Sequence, residues 1–102
     1  MKASCEKHLG EQFGGDVELM CEIYDEYVRS VAEKREELKE ARAASDWTLV
    51  DRVAHTLKGN ALAAGDQEMA DAAIAVRKAS ALCDAAGAAS RVEKMGELSN
   101  EL

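Results

Sequence analysis

The stretch Val53–Gly65, VAHTLKGNALAAG, sets a histidine, a lysine and a glycine inside helix-forming sequence. Neutral imidazole is a nucleophile near neutral pH, because free histidine titrates near ~6.5. Lys58, three residues beyond His55, falls one helical turn away on a neighbouring line. Gly59 is the unexpected choice. Glycine inside a helix costs about 1 kcal/mol against alanine, and this chain uses alanine freely. A missing side chain one turn from a histidine leaves space for a group larger than a proton to approach the ring. The ammonium of Lys58 at the same height favours an anion. A phosphoryl group meets both conditions, and the N–P bond it makes with imidazole has a good leaving group, which suits onward transfer.

The helix that must present these residues has its own pattern. Trp47, Val50, Ala54, Leu57, Ala61 and Ala64 step by three and four, forming one apolar stripe. At about 100° per residue the stripe centres between Leu57 and Ala54. His55 then lies roughly 130° from that centre and Gly59 ~170° from it. The imidazole is expected on the solvent-facing flank. Asp51 and Arg52 lie one turn below it, and Leu62 lies two turns above on nearly the same line. Asp51 reads as a surface charge or as a hydrogen-bond partner of the imidazole. Asp51, Arg52 and Leu62 are candidates for contacting a partner, with Tyr24 and Tyr27 from the facing helix, although both tyrosines also fit a core stripe. Gly65 reads as a helix C-cap. His8 has no partner at ligand spacing, and with Cys5 it would supply too few ligands for a metal, so no metal site is expected.

Around this helix the chain reads as all-α. It has no proline and is rich in alanine, leucine, glutamate, lysine and methionine, all helix formers. Cys5–Gln12 fits a short helix. Phe13–Asp16, FGGD, is a turn with Asp16 as N-cap. From Val17 a stripe of Met20, Ile23, Tyr24, Tyr27, Val28 and Val31 continues through Leu38, Ala41 and Ala44. The run EKREELKEAR reads as a solvated helix end. Ser45 or Asp46 caps the His55 helix, and Gly65–Asp66 reads as a stop followed by a new cap. The next stripe, Met69, Ala72, Ala73, Val76, Ala79 and Cys83, is expected to run to Gly87. Val92, Met95, Leu98 and Leu102 mark a last, shorter helix. Four amphipathic helices with short loops imply an antiparallel up-down four-helix bundle over about residues 16–102, preceded by an N-terminal segment, 1–15, with its short helix. The many alanines imply close helix approach. A single domain, 1–102, is expected from the length.

Composition narrows the function. Thirteen basic against twenty acidic residues leave a net charge of −7. That argues against nucleic acid, which requires a basic footprint, and against an anionic membrane surface. It suits a partner with a basic docking surface. No apolar run approaches the ~20 residues of a membrane span, and the first residues carry no apolar signal core. Cys5, Cys21 and Cys83 are odd in number and scattered, which fits reduced thiols in a cytoplasmic protein. Cys21 and Cys83, near stripe positions, are expected to be small core residues.

The motif AHTLKGNALAAG resembles the histidine-containing phosphotransfer (HPt) domains of bacterial and plant phosphorelays. Their pattern of His-x-x-Lys-Gly, a small residue two positions on and a second glycine corresponds to His55, Lys58, Gly59, Ala61 and Gly65. FGGD also looks like the family's first-helix start. The resemblance implies that His55 carries the phosphoryl group on Nε2. It implies that Lys58 stabilises the phosphoryl oxygens, and that Gly59 leaves room for the group and for an incoming receiver domain. Gly65 would be the family's helix-packing glycine. Val76-Arg77 stands where the family usually has an apolar residue followed by Glu, and Asp66 where Ala is common.

No G-x-x-x-x-G-K-[ST] loop is present, and the chain is too short to hold a kinase ATP-binding domain as well. The expected role is therefore a phosphoryl carrier without autonomous kinase activity, and the resemblance implies a monomer. Its expected partners are response-regulator receiver domains or a hybrid sensor histidine kinase. No intrinsic cofactor is expected; Mg²⁺ and the acceptor aspartate belong to the receiver. The alternatives are a non-phosphorylated helical adaptor binding a signalling partner and a dimerising or regulatory domain that works through its thiols.

Overall fold

A computed structural model describes residues 1–102. It contains five helices: α1 (Ala3–Phe13), α2 (Val17–Ala43), α3 (Trp47–Ala64), α4 (Gln67–Ala81) and α5 (Ala85–Ser99). α2 to α5 run up and down around a closed ring in which α2 packs on α3, α3 on α4, α4 on α5 and α5 back on α2. α1 docks against α2 and α3. The long α2, 27 residues, sets the length of a body measuring 43 × 20 × 18 Å.

The same device starts each of the four bundle helices. Leu19 N–H donates to Asp16 (3.1 Å), Leu49 N–H to Asp46 (3.1 Å), Met69 N–H to Asp66 (3.3 Å) and Gly87 N–H to Asp84 (2.9 Å). Each cap satisfies an amide that has no partner within its helix, worth about 1 kcal/mol. α1 and α3 end on Gly14 (φ 58°) and Gly65 (φ 80°), in the left-handed conformation that glycine adopts without strain. A side chain at Gly65 would also overlap that of His8 on α1.

The core combines large anchors with small spacers. Leu9, Leu38, Leu57, Met69 and Met95 are fully buried. Ala54 and Ala61 of α3 and Ala70 and Ala73 of α4 are all inaccessible to solvent, and small side chains allow close approach where these two helices pack. Truncating a buried leucine such as Leu57 to Ala would cost about 2–5 kcal/mol.

α1 is held by a polar cluster. Asp66 is completely buried. Lys2 Nζ donates to its Oδ1 at 2.7 Å and Tyr27 Oη to its Oδ2 at 2.6 Å. Lys2 Nζ also lies 3.2 Å from Glu68. A buried carboxylate is tolerable only when its oxygens are satisfied in this way. Burial together with the Asp66 hydrogen bond pushes the Tyr27 hydroxyl far above its usual range. Burial pulls the Lys2 ammonium down, but Asp66 and Glu68 together outweigh it and the net shift is upward. Burial and the Asp66 charge likewise raise the Cys5 thiol. Lys2 N–H donates to Tyr24 Oη (3.1 Å), which in turn donates to the carbonyl of Leu102 (3.1 Å).

Four sequence expectations need correction. α4 stops at Ala81 instead of running to Gly87, and Gly87 lies in the first turn of α5. Cys83 (φ 50°) forms the turn between them and is exposed, as is Cys21; the buried thiol is Cys5. Ala44 lies past the end of α2 and is exposed. The run EKREELKEAR is not wholly solvated, because Arg35 within it is half-buried between Val31 and Leu38, both core residues.

Candidate functional site

α3 presents its outer face at mid-length. His55 is exposed there. The side-chain hydrogen bonds of this helix belong to Thr56, Asn60 and Asp51, and the ring of His55 is left free. Its helix is fixed on both flanks. On one side Asn60 Nδ2 donates to Ser30 Oγ of α2 at 2.7 Å. On the other, Arg77 Nε of α4 donates to Asp51 Oδ1 at 3.0 Å. Beneath, Val53, Ala54 and Leu57 are buried in the core. An exposed nucleophile therefore stands on a rigid support, which limits the entropy lost in bringing it to a reacting atom.

The surroundings of the ring are cationic and open. Lys58, half-buried, follows three residues later and forms no ion pair. A Cβ built on Gly59 would meet nothing within 4 Å. The glycine is therefore neither a packing contact nor a turn; it lowers the surface beside the imidazole. Leu62 is 45% exposed, leaving an apolar knob above the histidine. Arg52 is exposed below it.

Asp51 is engaged by Arg77 and so acts neither as a free surface charge nor as a partner of the imidazole. Arg77 was missed as a site residue from sequence, although its departure from the family pattern was visible. Because Asp51 and His55 are one turn apart on the same face, the ion pair sets a guanidinium on the α4 rim of the site. The pair is partly exposed (34% and 47%), so its value is its placement of charge more than its stability, which is at most about 1 kcal/mol.

Tyr24 and Tyr27 do not join this surface. They are 5% and 4% exposed, with ring centroids 6.3 Å apart, and both hydroxyls are committed to the α1 cluster. Helical spacing allowed them either to face α3 at the surface or to fill the core, and burial decides for the core. Gly65 lies at the end of α3, against α1.

Comparison with known proteins gives one family: the family model described as Hpt domain matches residues 22–102. The match takes in α3 to α5 and nearly all of α2, and leaves α1 outside. No curated protein and no solved structure matches the chain. No helix is long and apolar enough to cross a membrane.

Proposed function

The chain belongs to the Hpt-domain family, and from that premise we propose that it relays a phosphoryl group between receiver-domain aspartates through His55. Hpt domains serve phosphorelays as phosphoryl carriers rather than kinases. The observation that carries the assignment to His55 is the exposed, unengaged imidazole with open space at Gly59 and an unpaired ammonium at Lys58.

In the forward step the lone pair of His55 Nε2 attacks phosphorus of an aspartyl phosphate. The acyl P–O bond breaks and the receiver's carboxylate leaves with the bonding electrons. Transfer onward reverses these events at a second receiver. Charge in the transition state spreads over the three equatorial oxygens, so positioning and electrostatics do most of the work. Lys58 supplies one cation for those oxygens, and Arg77, held by Asp51, supplies a second on the α4 side. Gly59 lets the phosphorus and the receiver's loops reach the ring. Leu62 and Arg52 form the docking rim. The receiver brings the acceptor aspartate and Mg²⁺.

The test is label transfer. The chain is incubated with a panel of ³²P-phosphorylated receivers and should gain acid-labile, alkali-stable label. His55→Gln should gain none. If His55→Gln labels as well as the parent, or if no receiver labels the parent, the carrier role fails and an adaptor role takes its place.

A further inference from the structure

Arg35 occupies a position that helix geometry assigns to the interior of the bundle. It follows Val31 by four residues and precedes Leu38 by three, and those two are 2% and 0% exposed. An apolar side chain there would stabilise the bundle, whereas a guanidinium must be desolvated. α5 makes room for it. A Cβ on the buried Gly96 would lie 2.7 Å from Nη2 and 3.0 Å from Cζ of Arg35, so the guanidinium rests on the bare backbone of that glycine. Arg35 Nη1 donates to Ser99 Oγ at 3.2 Å, and Ser99 gives its own proton to the Gly96 carbonyl at 2.7 Å. Arg35 Nε is buried and has no acceptor. None of the chain's ion pairs includes Arg35. Nε is closed to solvent, so a ligand would reach only the Nη groups, of which Nη2 makes no hydrogen bond. In a chain with twenty acidic residues, this half-buried cation has no counter-ion.

The guanidinium opens into a cleft of about 420 Å³ between α2 and α5. Lys39 and Arg42 stand on the α2 wall beside it, with Glu93, Glu97 and Asn100 on the α5 wall. Lys39 reaches only Glu36 of its own helix, at 3.5 Å, and Arg42 has no ion pair. This cleft is distinct from the phosphotransfer face: His55 is on α3, which lies across the ring from α5.

We propose that the α2–α5 cleft binds a small phosphate-bearing ligand whose dianionic head sits on Arg35, with Lys39 and Arg42 closing around it. A planar guanidinium with free donors matches a phosphate in geometry as well as charge. Glu93 and Glu97 repel extended polyanions and accept hydrogen bonds from hydroxyls on a compact ligand body. The proposal does not depend on His55 being phosphorylated.

The experiment follows the Arg35 Nε–Hε resonance of the ¹⁵N-labelled full chain by NMR. Inorganic phosphate and glycerol phosphate are titrated separately, with ionic strength held constant by sodium chloride. A saturable shift at Arg35 is expected. Arg42→Gln, a change on the cleft rim, should weaken binding about fivefold or more, while Arg29→Gln, outside the cleft, should leave it unchanged. Tighter binding of glycerol phosphate assigns the ligand to the organic monoesters, and equal binding assigns it to phosphate itself; both uphold the site. A shift that never saturates, one that chloride reproduces, or undiminished affinity in Arg42→Gln overturns the proposal.

Discussion

Replacing Gly59 by alanine should move stability and transfer in opposite directions. The residue is in the interior of α3, exposed, with helical backbone and open space where a Cβ would stand. Alanine there loses no packing and restrains the unfolded chain, so Gly59→Ala should stabilise by about 0.5–1 kcal/mol. For a domain of this size 1 kcal/mol raises Tm by about 4–8 °C, so thermal denaturation followed by circular dichroism should show a rise of about 2–8 °C. Transfer should fall, because the added methyl stands beside the attacking nitrogen. Misplacing reacting atoms by ~1 Å costs on the order of 10²-fold. A single methyl that the receiver can partly avoid should slow transfer by about threefold, and the longer side chain of Gly59→Gln by on the order of a hundredfold. Rates are read from quenched time courses with a phosphorylated receiver in excess. A loss of stability in Gly59→Ala would show that the open space beside the ring is not there. Transfer at the parent rate in Gly59→Gln would show that the space is not used.

Arg77→Gln should change stability by less than about 1 kcal/mol, since its pair with Asp51 is partly exposed. It should slow transfer about threefold or more at low ionic strength, with the deficit shrinking as salt screens the lost charge; an unchanged rate at low salt would remove Arg77 from the site. Alkaline unfolding tests the α1 cluster. Cys5, Tyr27 and Lys2 are all shifted upward in the folded chain, so it keeps protons that the unfolded chain releases as pH passes 9.0, 10.0 and 10.5. Their stabilisation is fully present below those unfolded values and is lost progressively as pH rises from them through the higher folded ones, the loss being greatest for Tyr27, whose shift is the largest. Urea titrations at pH 8 and 11 should show this fall. Tyr27→Phe should flatten it while costing about 1–3 kcal/mol at neutral pH, because Asp66 loses a donor; an unaltered slope would contradict the assignment.

The residues that announce themselves in the sequence act locally. Asp16, Asp46 and Asp66 cap the amides three residues on, and the stripe of α3 follows from its spacing, so the helix bearing His55 and the outward aspect of that residue were legible without coordinates. What stayed hidden depends on contacts between distant residues. Asp66 reads as a cap, and nothing local shows that Lys2 and Tyr27 converge on it. Asp51 reads as a surface charge until α4 brings Arg77 to it. Arg35 disappears in a run of charges unless its register with Val31 and Leu38 is set against the glycine that faces it. The end of α4 differs because ASALCDAAGAAS is rich in alanine on both sides of the break, and Gly87 reads as the stop although the signal is the N-cap aspartate three residues earlier. Cys21 and Cys83 show the same weakness: a small side chain near a stripe can fall on either side of the waterline.

Tyr24 Oη touches both extremities of the chain, the amide of Lys2 and the carbonyl of Leu102. Both termini therefore leave from one pole of the bundle. His55 stands near the middle of an 18-residue helix, ~13 Å along its axis from either end. A module spliced on at the front or the back would hang from that shared pole, and a visiting receiver would still find the waist of α3 unobstructed.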